Sequence, residues 1–83
     1  MSEPEDFDRA SALETLMKSR GWTVTVEEID LRIAALVERM IQVDCTDTER
    51  AALAGEIRGL QYSRDWPQDE HTAVIRRVVA RNT

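Results

Sequence analysis

Trp22-Thr23-Val24-Thr25-Val26-Glu27-Glu28-Ile29-Asp30-Leu31-Arg32-Ile33-Ala34-Ala35-Leu36-Val37-Glu38-Arg39-Met40-Ile41-Gln42-Val43 carries the longest unbroken pattern in the chain. Trp22, Val26, Ile29, Ile33, Leu36, Met40 and Val43 follow one another at steps of four and three. An α-helix with that spacing keeps one narrow apolar line toward a partner helix. Thr25 and Glu28 fit a capping box, and Val24 and Ile29 fit the hydrophobic staple that accompanies one. The central helix is therefore expected from Thr25 to Val43. Glu28 and Arg32 stand at the i,i+4 spacing of a helical ion pair. Leu31, Val37 and Ile41 lie off the seam, and a second apolar flank predicts a further contact.

Downstream, Asp44-Cys45-Thr46 reads as a turn, and Thr46 with Glu49 forms a second capping box. Leu53, Ile57 and Leu60 repeat the four-three spacing. So short a connection places neighbouring helices antiparallel. The expected fold is all-α: an antiparallel helical hairpin over about residues 25–43 and 46–65, with a short helix on each side. Gly55 and Gly59, four apart, would let another backbone approach, or are tolerated on an open face.

Upstream, Phe7, Ala10, Leu13, Leu16 and Met17 mark a first helix, with Glu14 and Lys18 as an i,i+4 pair and Gly21 as its left-handed stop. Residues 1–8, with Glu3, Glu5, Asp6 and Asp8 and no base, read as a flexible acidic arm. Proline disfavours a helical conformation in the residue before it, so Pro67 should end the third helix by Asp65 or Trp66. Residues 68–83 then form a separate C-terminal segment. There Val74/Val78 and Ile75/Val79 make two apolar rows beside Arg76, Arg77 and Arg81. The β-branched run from Thr72 to Val79 keeps a strand open as the alternative to a helix.

The chain has 83 residues, one cysteine, one histidine and a formal charge of −5. That length fits one small domain. A lone Cys45 cannot form an internal disulfide, and no run of about 18 apolar residues suggests a membrane helix. The start lacks the basic and apolar regions of a signal peptide. A cytoplasmic protein is expected. The acidic balance argues against direct binding of nucleic acid, which calls for a basic face. The acidic start and basic end would clamp together, orient neighbouring copies or remain solvated.

Catalytic, cofactor-binding and metal-binding residues are all expected to be none. His71 has no second His or Cys to complete a metal set. Cys45 stands between Asp44 and Asp47, charges unsuited to activating a thiolate. No glycine-rich phosphate loop or nucleophile–base set can be assembled. Surface features suited to proteins remain: Leu31, Val37, Ile41, Trp66, Val74, Ile75, Arg77, Val78, Val79 and Arg81 are the expected partner-binding residues. Trp66 and Tyr62 add aromatics of the kind enriched at hot spots.

The order Leu13-x-x-Leu16, Arg20-Gly21-Trp22, an acidic amphipathic helix, then Glu49 and Gly55-Glu56-Ile57-Arg58-Gly59-Leu60 resembles small helical-hairpin proteins encoded among the structural and packaging genes of tailed bacteriophages. The likeness spans roughly Leu13 to Trp66. It implies a setting in virion assembly or in an accessory step of infection. The partner would be a larger phage structural protein, or further copies of the chain in a homo-oligomer, in the host cytoplasm or the virion. An acidic inhibitor that occupies a host nucleic-acid-binding protein is the other expectation. It is weakened because Glu27, Glu28, Asp30 and Glu38 alternate with Arg32 and Arg39.

Overall fold

The computed structural model describes residues 3–83, and all regular structure among them is helical: α1 (Glu3–Lys18), α2 (Arg20–Met40) and α3 (Asp47–Arg81). The all-α expectation holds, while several boundaries differ. No described helix is long and apolar enough to cross a membrane.

Helix α1 begins at Glu3, well before Phe7. Pro4 lies in the first turn, where a missing N–H removes no intrahelical bond. The acidic side chains nearby complement the positive end of the helix dipole. From Glu3 onward, the expected flexible arm over residues 1–8 is helix; Met1 and Ser2 lie outside the described residues.

The junction between α1 and α2 is Ser19. Its hydroxyl donates to the Leu16 carbonyl at 2.7 Å and accepts from the Trp22 N–H at 3.1 Å. The Thr23 N–H reaches the Ser19 carbonyl at 3.1 Å. Ser19 thus caps α2 at the N3 amide, the usual serine arrangement. No described glycine has a positive φ. Gly21 is therefore not a left-handed stop but part of the first turn of α2, and Trp22 is helical, ahead of the expected start at Thr25. The Thr25–Glu28 box lies inside the helix it was expected to start, because Ser19 offers a cap six residues earlier.

The second cap is where the sequence placed it. The Glu49 N–H donates to Thr46 Oγ1 at 3.1 Å, and the Arg50 N–H reaches the Thr46 carbonyl at 2.9 Å. Across the turn, Arg50 Nε donates to the Met40 carbonyl at 3.0 Å, satisfying one acceptor that the end of α2 leaves open. Arg39 binds Asp44 at 3.0 Å and Glu49 at 2.8 Å. Asp44 first, then Glu49, raises the pKa of the guanidinium above its ordinary value by hydrogen bonding to it.

Helix α3 runs 35 residues through Pro67. The expected end at Asp65 or Trp66, and with it a separate C-terminal helix, is corrected. Proline cannot donate to the Ser63 carbonyl, and an interior proline costs about 3 kcal/mol. Burial offsets part of that cost, since the Pro67 ring is fully enclosed. No strand forms over Thr72 to Val79.

The chain divides into two compact units. One is Val24–Arg64. Its ion pairs join Arg39 to Glu49, Arg32 to Glu56 at 3.0 Å and Asp30 to Arg64 at 2.8 Å. Numbers fall along α2 as they rise along α3, an order consistent with an antiparallel pair. Val26, Ile29, Ile33, Leu36 and Met40 are the half-buried apolar positions of α2 within this unit, as the heptad spacing predicts. Leu53, Ile57 and Leu60 of α3 are half-buried too. No residue of α2 is fully buried. Val43 is wholly exposed because α2 ends three residues before it, so the seam stops at Met40.

The other unit joins residues up to Thr23 with Asp65–Thr83. Ala10 and Leu13 of α1 and Pro67, Val74 and Val78 of α3 are its buried apolar residues. Arg9 meets Glu70 at 3.1 Å, and Glu14 meets His71 at 2.9 Å. Asp6, fully buried, holds both Arg81 and, at 3.7 Å, Arg77. Two expected i,i+4 pairs give way to partners distant in sequence: Glu14 faces His71 instead of Lys18, and Arg32 faces Glu56 instead of Glu28.

Candidate protein-interaction surface

Each unit leaves apolar side chains outside its own core. On α2, Leu31 is 64 % exposed, Val37 44 % and Ile41 74 %. They sit off the seam, whose positions Ile29, Ile33 and Leu36 are half-buried, and this flank is left uncovered. All three expected partner-binding residues of α2 are therefore at the surface.

The C-terminal residues separate into two groups. Val74 and Val78 are buried within their unit, and Arg77 and Arg81 are held by Asp6. Val74 and Val78, expected as partner-binding residues, belong to the buried core of the unit that this stretch shares with α1. Ile75 and Val79, one position further round the helix, stay exposed at 38 % and 55 %. Trp66 is half-buried. The expected residues fall in two units, Leu31, Val37 and Ile41 in one and Trp66 with the C-terminal residues in the other.

Three further exposed residues lie outside the expected partner-binding set. The apolar spacing of the first helix puts Phe7 on its inward side, yet Phe7 is 52 % exposed, since Ala10 and Leu13 alone form the buried face there. Tyr62 and Val24 are also exposed. Tyr62 carried a signal, because it falls off the Leu53-Ile57-Leu60 spacing.

A shallow groove of about 420 Å³ lies in the Val24–Arg64 unit, lined by Glu28, Ile29, Leu31, Arg32, Ala35 and Leu60. Four of these six are apolar, and the two charges are opposite and one helical turn apart. Arg32 is shared with Glu56, whereas Glu28 has no cation beside it among the described residues. The open shape suits an approaching side chain or helix better than an enclosed small molecule.

The expected slim face of α3 is open. A Cβ built on Gly59 meets nothing within 4 Å, and one on Gly55 meets only the Arg58 guanidinium at 3.8 Å. No described element of the chain uses those glycines for close approach. Cys45 is buried in the turn, its N–H bonded to the Gln42 carbonyl at 3.1 Å. No group of three or more metal-ligating side chains occurs among the described residues. No protein-family model, curated protein or solved structure matches this chain.

Proposed function

We propose that the protein is a non-enzymatic protein–protein interaction module, with α2 and the first half of α3 acting as an antiparallel helical hairpin that presents apolar flanks. The observation that carries this reading is the set Leu31, Val37, Ile41, Ile75 and Val79, all left exposed although each unit has apolar positions it does cover. Val37 with Ile41, and Ile75 with Val79, are each spaced one helical turn apart, and rows of exposed apolar side chains of that kind suit a protein interface. The resemblance to phage hairpin proteins gives the setting: an assembly adaptor or virion-associated protein docking on a larger structural protein. The acidic-inhibitor reading has less support, because Asp30, Glu49 and Glu56 are already engaged by arginines.

Capture from the native lysate with the tagged chain tests the proposal. Ile75→Asp with Val79→Asp, and separately Val37→Asp with Ile41→Asp, should leave the helical signal intact and abolish capture of a specific protein. Unchanged capture by both double variants would remove the exposed rows from the interface.

A further inference from the structure

We propose that the groove on α2 is a homodimer contact in which two copies of the chain pack α2 against α2 antiparallel about a two-fold axis at the level of Asp30. The proposal rests on the interaction-module reading and names a second copy as the occupant. Three features of the groove point to a self-complementary contact.

The first is the charge pattern. A two-fold contact is isologous: if residue i of one copy meets residue j of the other, then j meets i as well. Antiparallel pairing centred on Asp30 brings residue 28 of each copy opposite residue 32 of the other. Those residues are Glu28 and Arg32, so both cross-pairs are attractive. Glu28 has no cation beside it among the described residues, and Arg32 is bound to Glu56 through one nitrogen at 3.0 Å with its side chain 64 % exposed. A guanidinium has five N–H donors, enough for a second carboxylate.

The second is the apolar content. Leu31 and Ile29 both line the groove, one position to either side of Asp30. In this geometry Leu31 meets Leu31 of the copy, and Ile29 meets Ile29. Ala35 falls opposite Thr25, two small side chains that allow the helices to approach.

The third is what the contact would cover. The α2 seam in this unit is half-buried throughout, and the groove is lined by Ile29 of that seam together with Leu60 of α3. A second pair of helices laid over that side makes a four-helix arrangement, the usual way such a pair completes its core. Like charges placed face to face would oppose the same contact.

Two single variants and their mixture give the test, read by sedimentation equilibrium or light scattering. Wild type should show twice the chain mass, falling to the monomer on dilution. Glu28→Arg alone sets arginine against arginine in both cross-pairs, and Arg32→Glu alone sets glutamate against glutamate; each should be monomeric. An equimolar mixture of the two restores both attractive pairs and should form a one-to-one heterodimer. Leu31→Lys, at an exposed position, should also be monomeric, with circular dichroism confirming that all variants remain helical. A monomeric wild type would overturn the proposal, and capture of another protein by that monomer would leave the interaction-module reading standing. A wild-type dimer unaffected by Glu28→Arg and Leu31→Lys would place the contact on another face and equally overturn it.

Discussion

Asp6 and Arg81, 75 positions apart in sequence, form an ion pair that ties the first turn of α1 to the last turn of α3. The carboxylate is fully buried, and Arg77 stands 3.7 Å from its other oxygen. A buried carboxylate is costly to desolvate and holds its place only through its cations. Removing both arginines therefore does more damage than the loss of two surface charges. Arg77→Ala with Arg81→Ala should destabilise the protein by about 3 kcal/mol, the order expected when a buried charge loses its partners. Urea denaturation would check this. Adding Asp6→Ala to the double variant should recover part of the loss, since no uncompensated charge then remains.

Gly21→Ala separates two readings of the α1–α2 junction. A left-handed glycine would make alanine unfavourable there. In the structure Gly21 is helical, has no positive φ, and a Cβ would meet nothing within 4 Å. The substitution should raise stability by roughly 0.5–1 kcal/mol, seen as an increase in melting temperature. A decrease would restore the left-handed stop.

Ser19→Ala and Thr46→Ala should each cost about 1 kcal/mol, because each removes the side-chain acceptor for an N3 amide. Thr25→Ala removes no cap, since Thr25 lies within α2. It should cost clearly less than Ser19→Ala in the same thermal melt.

Pro67→Ala sets the interior-proline penalty against a buried ring. Alanine restores an N–H for the Ser63 carbonyl and relieves a conflict of about 3 kcal/mol. The enclosed ring gives up apolar burial worth roughly 1–2 kcal/mol. Relief of the helical conflict outweighs the lost burial, so the variant should be more stable by about 1 kcal/mol in chemical denaturation. A less stable variant would mean that packing of the ring dominates at this position.

Ile33→Ala should cost about 2 kcal/mol, near the lower end for a core isoleucine, because the seam is only half-covered. A loss of about 4 kcal/mol or more, at protein concentrations that keep the chain monomeric, would mean that the seam is enclosed more fully than one pair of helices allows.

Local physics was legible in the sequence. The four-three spacing picked out which α2 side chains are half-buried, because helical period is a property of the segment alone. Thr46 and Glu49 located the start of α3, because a capping bond spans three residues and needs nothing else. Leu31, Val37 and Ile41 were readable as a second flank for the same reason. Everything that hinges on a distant partner required the tertiary structure. Asp6 reads as solvated acid until Arg77 and Arg81 are brought to it. Val74 and Val78 cannot be told from Ile75 and Val79 until α1 lies along one row and not the other. Pro67 reads as a helix end because local sterics oppose a helix before proline, yet α3 continues through it with the ring buried in the unit's core, which offsets part of that cost. Sequence alone determined the periods, the Thr46 cap and the turn; the tertiary structure decided which charges and apolar rows found partners, since those energies arise between residues 24 to 75 positions apart.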